Sequence, residues 1–474
     1  MAQLDQTDTV RSAAARVWAL LLGVGLLLAG NGLQGTLIGL VAEDAGFSSA
    51  VTGLVMTAYF AGFLIGSHAS ETFISRDGHV RTFAALASLS SVAILIHGLF
   101  VDPVVWTAMR FATGFSFAGL YVVTESWLNR ETTRENRGGL LAVYMVVSHT
   151  GLASGQVLLN AAPASSLAIY VLASALLSVA VLPILLSSAP QPHVSPDGAR
   201  LSFSALFRTT PLGATGCFLA GIANGILLGM AAVYARQSGF GVGAISVFMA
   251  AIMIGGAAFQ WPIGKLSDRI DRRFVILGVA AAAALAAARL EASTGDAALF
   301  AVVGFVVGGL TLTLYPLFLS YANDWFEPDQ MVSASSGLVT IYGAGAMLGP
   351  LGGGLLMGVL GPQGFALYLS VLLIVVAGFT AYRIMATDGP TSQDDFLYAP
   401  AAVGVSDYWA EAAAEIADEA GDETSARAGV ESSAGANAGV SVGASLEATV
   451  EEAPAGEARM DGLAPEGGPE TAAG

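Results

Sequence analysis

The 474-residue chain is 54% hydrophobic and only 12% charged, with a mean hydropathy of +0.68. These values exclude a soluble globular protein and indicate a polytopic helical membrane protein. The formal net charge of −17 is concentrated in residues 388–474, which hold 18 acids against two arginines, so the remaining body is nearly neutral.

A membrane-spanning helix needs about 20 apolar residues, and twelve such stretches precede residue 387. In chain order they are 17–42, 49–75, 81–101, 104–128, 138–162, 166–188, 210–236, 243–267, 273–292, 297–323, 331–358 and 364–386. The first run is longer than a signal-peptide core and lacks a small-residue exit, so it reads as span 1. The single cysteine, Cys217, rules out an internal disulfide and is expected to pack inside span 7. Ser187–Thr210 is the longest polar connection in the body, broken by Pro190, Pro192, Pro196 and Gly198. The expected layout is an N-terminal segment 1–16, a first six-helix half 17–188, a linker 189–209, a second half 210–386 and a disordered acidic tail 387–474. Gly439-Val-Ser441-Val-Gly443 in that tail has the spacing of a nucleophile elbow, but no strand or helix flanks it.

The two halves repeat each other. Asn31-Gly32 returns as Asn224-Gly225, Gly46-Phe47 as Gly239-Phe240 and Ser75-Arg76 as Asp268-Arg269, each 193 residues later. Paired hydrophobic halves of this kind mark secondary transporters, whose solute site lies between the halves near the bilayer midplane. Basic residues set orientation: 14 fall in the alternate connections on one side, and only Arg236 and Arg289 on the other. Both termini are therefore expected in the cytoplasm.

Polar residues inside spans supply the candidate site. Asn31 and Asn224 lie equally deep in spans 1 and 7, Gln34 shares a face with Asn31, and Tyr121 and Tyr315 match between spans 4 and 10 at 194 residues. Interhelical polar bonding is the alternative reading of the two amides. Arg110 is a charge within span 4; it is expected to face a wet cavity or a partner, with snorkelling as the alternative. On the basic side, Asp268, Arg269 and Arg272 form a short charged turn suited to holding that face closed. The same turn in the first half holds Ser75, Arg76 and Arg81, with Ser75 at the position of Asp268. Glu71, Glu125 and Arg110 are the candidate proton-coupling groups, and no Asp or Glu occupies the middle of a span.

Gly264-x-x-x-Asp268-Arg269-x-x-Arg272-Arg273 resembles the short-loop signature of the major facilitator superfamily, with Asp271 in place of the family's usual Gly. In the first-half copy Ser75 stands where the family has Asp, and the resemblance implies that Glu125 supplies the missing carboxylate to Arg76 or Arg81. Arg110-Phe-Ala-Thr-Gly114 resembles its R-x-x-x-G signature. Gly345-x-x-x-Gly349-Pro350-x-x-Gly353-Gly354 resembles a pattern usually found in span 5; here it lies in span 11, matched to Tyr144…Gly151-x-x-x-Gly155 by aligning Tyr342 with Tyr144, 198 residues apart. Gly78-His79-Val80-Arg81 and Ala118-Gly119-Leu120-Tyr121-Val-Val-Thr-Glu125-Ser-Trp127-Leu128-Asn129 are similar to the bacterial YcaD-type branch. The superfamily resemblance covers 17–386 and implies an all-α fold of two pseudo-symmetric six-helix halves, with spans 1, 4, 7 and 10 lining a central cavity.

No phosphate-binding loop and no zinc-spaced His or Cys pair occurs, so ATP, metals and other cofactors are not expected. The expected function is secondary transport of a small solute across the bacterial inner membrane by alternating access, with proton-coupled efflux foremost. An uncoupled facilitator and a symport importer are the alternatives, and an enzyme is not expected. The expected partners are the solute, the lipid bilayer and protons, with no nucleic acid, and the protein is expected to be monomeric.

Overall fold

The computed structural model describes residues 14–131, 137–186, 202–326 and 328–387, all within the unit Met1–Ala420. Among them there are helices and no strands. The lipid core offers backbone groups no water, so each crossing segment must satisfy them internally.

Twelve helical segments correspond to the twelve predicted stretches. They are α1 (Trp18–Asp44), α2 (Ser49–Asp77), α3 (His79–Leu99), α4 (Pro103–Glu131), α5 (Arg137–Leu158) and α6 (Leu167–Val179, continued as Val181–Leu186), then α7 (Pro211–Gln237), α8 (Val242–Ser267), α9 (Arg272–Arg289), α10 (Ala297–Asn323), α11 (Pro328–Leu360) and α12 (Gln363–Ala386). Nine candidate spans among the described residues are long and apolar enough to cross a membrane by length and composition alone. α4, α5 and α9 fall outside that set. Arg110 and Glu125 interrupt α4, and α9 is an alanine-rich stretch framed by Arg272, Arg273 and Arg289. The break in α6 follows from Pro183, which has no N–H to give the Val179 carbonyl.

Short connections make neighbouring long helices alternate in direction. One end of the bundle, called here the basic face, carries the 77–79, 267–272 and 323–328 connections and Thr387. The opposite face carries 44–49, 99–103, 158–167, 237–242, 289–297 and 360–363.

The repeated Gly-Phe pairs are helix C-caps. Gly46 and Gly239 have φ of 78° and 88°, where only glycine is unstrained. Phe47 N–H donates to Ala42 O (2.9 Å) and Phe240 N–H to Ala235 O (3.1 Å), closing the Schellman turn both times. Each Phe then packs on the start of a later helix: Phe47 on Trp106 (5.2 Å between centroids) and Phe240 on Phe300 (4.4 Å).

The glycines of the repeated Asn-Gly pairs serve close packing. A Cβ on Gly32 would strike Leu152 O of α5, and one on Gly225 would strike Ala346 O of α11. From the other side, Gly155 approaches Ala29 O and Gly349 approaches Ile222 O. Ala29 and Ile222 are 193 apart, which makes Gly155 and Gly349 structural counterparts at 194 residues. The 198-residue match drawn from sequence is therefore corrected: the counterpart of Tyr342 is Ser148, not Tyr144, and Pro350 takes the place of Gln156. Packing of small residues, rather than the tyrosines, sets the register between these helices.

Candidate functional site

Asn31 lies 13 residues from either end of α1, about 20 Å along it. It is half-buried, and its amide donates to Tyr59 Oη of α2 at 3.5 Å. One turn further on, Gln34 is fully buried and donates to Thr113 Oγ1 of α4 at 3.4 Å. Arg110, one turn before Thr113, stands with its guanidinium 4.5 Å above the centre of the Tyr59 ring. It is only 5% exposed, so it does not snorkel to the surface. Its Nε and Nη1 find no acceptor, and no acid pairs with it among the described residues. Tyr121 lies deeper along α4, buried against Phe63 and Phe117, with its hydroxyl unpartnered. The first half thus gathers Asn31, Gln34, Tyr59, Arg110 and Thr113 where α1, α2 and α4 meet, with Tyr121 beside them.

The second half repeats the framework without most of the chemistry. Asn224 lies 13 residues into α7, is fully buried and donates to Tyr342 Oη at 3.2 Å. The Tyr342 ring packs on Tyr315 at 4.1 Å. The α2–α4 crossing has Gly62 against Phe111 O and Gly114 against Tyr59 O; the α8–α10 crossing has Gly255 against Phe305 O and Gly308 against Ile252 O. These pairs set Ile252 opposite Tyr59 and Gly304 opposite Arg110, and Leu227 and Val307 opposite Gln34 and Thr113. The two asparagines share depth but not surroundings. Asn224 is tied inside its own half, whereas Asn31 meets the cation-bearing cluster.

At the basic face, Arg272 is the hub. Its Nη1 donates to both Asp324 oxygens, at 2.7 and 2.8 Å, and its Nη2 to Asp268 Oδ1 at 3.3 Å. The Arg272 and Asp324 side chains are both 0% exposed. Of the three residues expected to form this charged turn, Arg272, one helical turn from Asp268, is the one that pairs with it, while Arg269 is exposed. Asp271 caps α9 through Arg273 N–H (2.9 Å) and pairs with the Arg273 guanidinium (2.7 Å). Burial alone would raise the Asp271 carboxyl; the Arg273 side-chain and backbone hydrogen bonds, with its charge, outweigh this and hold the group below its ordinary value. Arg273 also donates to Thr387 O at 2.7 Å, fastening the end of α12.

The first-half version of this turn is different. The expected contact of Arg76 or Arg81 with Glu125 is not made. Arg76 is 80% exposed and pairs weakly with Asp77 (3.6 Å), and Arg81 is exposed. Glu125 is buried between helices, where Tyr144 Oη donates to it at 3.5 Å. His79, the counterpart of Arg272, is buried and shares a hydrogen bond with Ser126 (2.9 Å). The Glu71 side chain lies outside the described residues.

Contacts between the halves gather toward the opposite face. Arg236 pairs with Asp44 at 2.8 Å, and Gln237 donates to Glu43 and Ser49, each at 2.9 Å. α2 crosses α11 where Gly53 meets Pro350 O and Gly354. α5 crosses α8 where Asn160 donates to Ser246 Oγ (2.9 Å) and Ser246 Oγ donates to Gln156 O. Gln156 also bridges to α1 through Gly32 O (2.8 Å) and Thr36 (2.7 Å).

Sequence reasoning missed Tyr59, Thr113, Tyr342 and Asp324. Tyr59 had a usable signal, a single phenol in an apolar run one helix from Arg110. Asp324 had another, an acid closing span 10 opposite an arginine-rich turn.

The sequence matches the family profile described as Major Facilitator Superfamily over residues 20–290 and 214–411. An uncharacterized MFS-type transporter of Enterobacter sp. (strain 638) is 30% identical over 335 residues, covering 70% of this chain and 87% of that protein. The uncharacterized MFS-type transporter YcaD of Escherichia coli is 29% identical over 364 residues, covering 77% and 93%. Among solved structures, the nucleoside transporter NupG superposes with a TM-score of 0.64 at 14% identity, covering 77% of this chain and 98% of that one. A bacterial homolog to the human lysosomal transporter Spinster, inward-facing and occupied, superposes at 0.62 and 16% identity, covering 78% and 97%. At such identities the structural likeness is one of fold alone.

Proposed function

This chain belongs to the major facilitator superfamily and is a multi-pass membrane transporter; on that premise we propose that it moves a small solute across the bacterial inner membrane by alternating access, as a secondary active transporter. The observation that carries this reading is the placement of contacts between the halves. They cluster at the opposite face, while Arg110, Tyr59 and Asn31 lie about 10, 15 and 20 Å further in along their helices. Rocking of the halves would exchange that closed end for closure at the basic face. The excess of arginine supports a cytoplasmic location for the basic face and both termini.

In this reading Asn31, Gln34, Arg110 and Tyr121 contact solute, while Asn224, tied to Tyr342, and Tyr315 brace the facing wall from behind. Asp268, Arg272 and Asp324 brace the second half at the basic face. Glu125, buried and hydrogen-bonded by Tyr144, is the acid placed to exchange protons during efflux.

Spin-label pairs in a Cys217→Ser background test the reading without a known solute. One pair sits at Arg76 and Ile270 on the basic face, the other at Val101 and Gly295 on the opposite face. Alternating access gives two populations whose distances change in opposite senses. A single fixed distance at both faces would refute it and leave an uncoupled facilitator.

A further inference from the structure

Arg110 is a buried cation without a counter-ion. It lies two turns inside α4, whereas the other lysines and arginines of the described spans lie within about one turn of a helix end, and no carboxylate pairs with it among the described residues. Arginine keeps its proton in proteins. The Tyr59 face recovers only part of the cost of burying that charge, and Nε and Nη1 still lack acceptors. The fold does not require a cation there, since the second half builds the same helix crossing with Gly304, packed on Phe248. Nearby hydroxyls supply donors beside one unpartnered acceptor, Gln34 Oε1. The Tyr121 hydroxyl is unpartnered, and the Tyr59 hydroxyl accepts from Asn31 and so keeps its own hydrogen to give.

Resting on the transporter reading above, we propose that the solute is a small organic monoanion, its negative group held by Arg110 with the Tyr59 and Tyr121 hydroxyls. One guanidinium balances one negative charge; a dianion would carry an uncompensated charge into the bilayer centre. The surroundings favour an apolar or aromatic body. Tyr59, Phe63, Tyr121 and Phe117 form a run of ring contacts in the first half, at 6.3, 6.1 and 6.4 Å, and Tyr315 packs on Tyr342 in the second.

The test uses three probes of one shape and different charge: benzoate, benzamide and benzamidine. Each is titrated into the purified full-length protein in detergent while the melting temperature is followed, since a bound solute stabilises by mass action. Benzoate raises the melting temperature at concentrations roughly 10- to 100-fold lower than benzamide, the span of a charge-assisted contact, and benzamidine has no effect. Arg110→Gln abolishes the benzoate response while the ligand-free melting temperature stays level or rises, because an unpaired charge has been removed. A structural role for Arg110 predicts a fall instead. Should Arg110→Gln not fold, Arg110→Lys keeps the charge without the planar fork and shows a weakened benzoate response. Equal responses to benzoate and benzamide, no response to benzoate, or an unchanged response in the Arg110 variants would overturn the proposal. The ligand-free label distances report separately on alternating access, so the two ideas fail independently.

Discussion

Replacing Asp324 with alanine should be the most damaging single change at the basic face. Arg272 is fully buried and spends one nitrogen on both Asp324 oxygens, at 2.7 and 2.8 Å. Its link to Asp268 is longer at 3.3 Å, and the Asp268 side chain is 28% exposed. Removing one partner of a buried ion pair leaves the other charge desolvated, at a cost of about 3–5 kcal/mol. A half-solvated pair contributes only about 0–1 kcal/mol. Asp324→Ala should therefore destabilise the protein several times more than Asp268→Ala, although Asp268 is the residue that the loop signature singles out. The double variant Arg272→Met/Asp324→Leu should recover much of the loss, since no buried charge remains. Unfolding curves in mixed detergent, followed by tryptophan fluorescence, compare Asp324→Ala with Asp268→Ala, and wild type, Arg272→Met, Asp324→Leu and their double variant give the coupling directly. Equal losses for Asp324→Ala and Asp268→Ala, or strict additivity in the double variant, would refute the assignment of Arg272 as a buried hub.

The matched asparagines should behave differently. Asn224→Leu removes the donor to Tyr342 in a fully buried setting and should lower stability by about 1–3 kcal/mol, whereas Asn31→Leu should leave the melting temperature near wild type while abolishing uptake. Melting and uptake on the same preparations separate the two, and the reverse pattern would place Asn224 at the solute. Orientation is checked with an impermeant maleimide on intact cells in the Cys217→Ser background: a cysteine at Asp102 should label and one at Arg76 should not, and the opposite result inverts the topology. Gly53→Val should drive α2 from α11, because a Cβ there meets Pro350 O. It should raise labelling of a cysteine at Ser49 from the opposite face, and an unchanged rate would mean that this crossing is not a closure point.

Much of the fold was legible because its causes are local. Twenty-residue apolar runs and arginine-bearing turns each act over a few residues, so twelve segments and their order could be read directly, whereas the Gly-Phe pairs were legible as a repeat and not as caps. Asn31, Gln34 and Arg110 were legible for a related reason, as polar side chains in apolar runs need a partner. Their partners were not. Tyr59 and Thr113 become neighbours of Arg110 and Gln34 only through the glycine crossing of α2 and α4, where Gly62 and Gly114 let backbones touch. Asp324 joins Arg272 across 52 residues for the same kind of reason. The misplaced Tyr144–Tyr342 match shows the limit of pattern reading. Two tyrosines spaced alike from a glycine pair looked equivalent, yet helix packing aligns the glycines with one another and leaves the tyrosines one turn apart.

That register carries a consequence for how the two halves separate. Because Gly155 aligns with Gly349, Gln156 aligns with Pro350 and Asn160 with Gly354, so the two crossings at the opposite face are built on one plan with different chemistry. At α5–α8, Ser246 and Asn160 hydrogen-bond across the joint, and Gln156 anchors it to α1. At α2–α11, Gly53 and Gly354 bring backbones together, with Thr57 donating to Met347 O (3.0 Å) a turn further along α2. Opening the first joint must exchange two directional bonds for water or for other partners, while the second exchanges one and otherwise slides through van der Waals contact. The motion should therefore be led by the α2–α11 side, with α5–α8 acting as the stiffer pivot. Ser246→Ala, which leaves the crossing its shape and removes its bonds, should speed the appearance of the open population more than Thr57→Ala does. Equal rates for the two variants would remove any mechanical distinction between the joints.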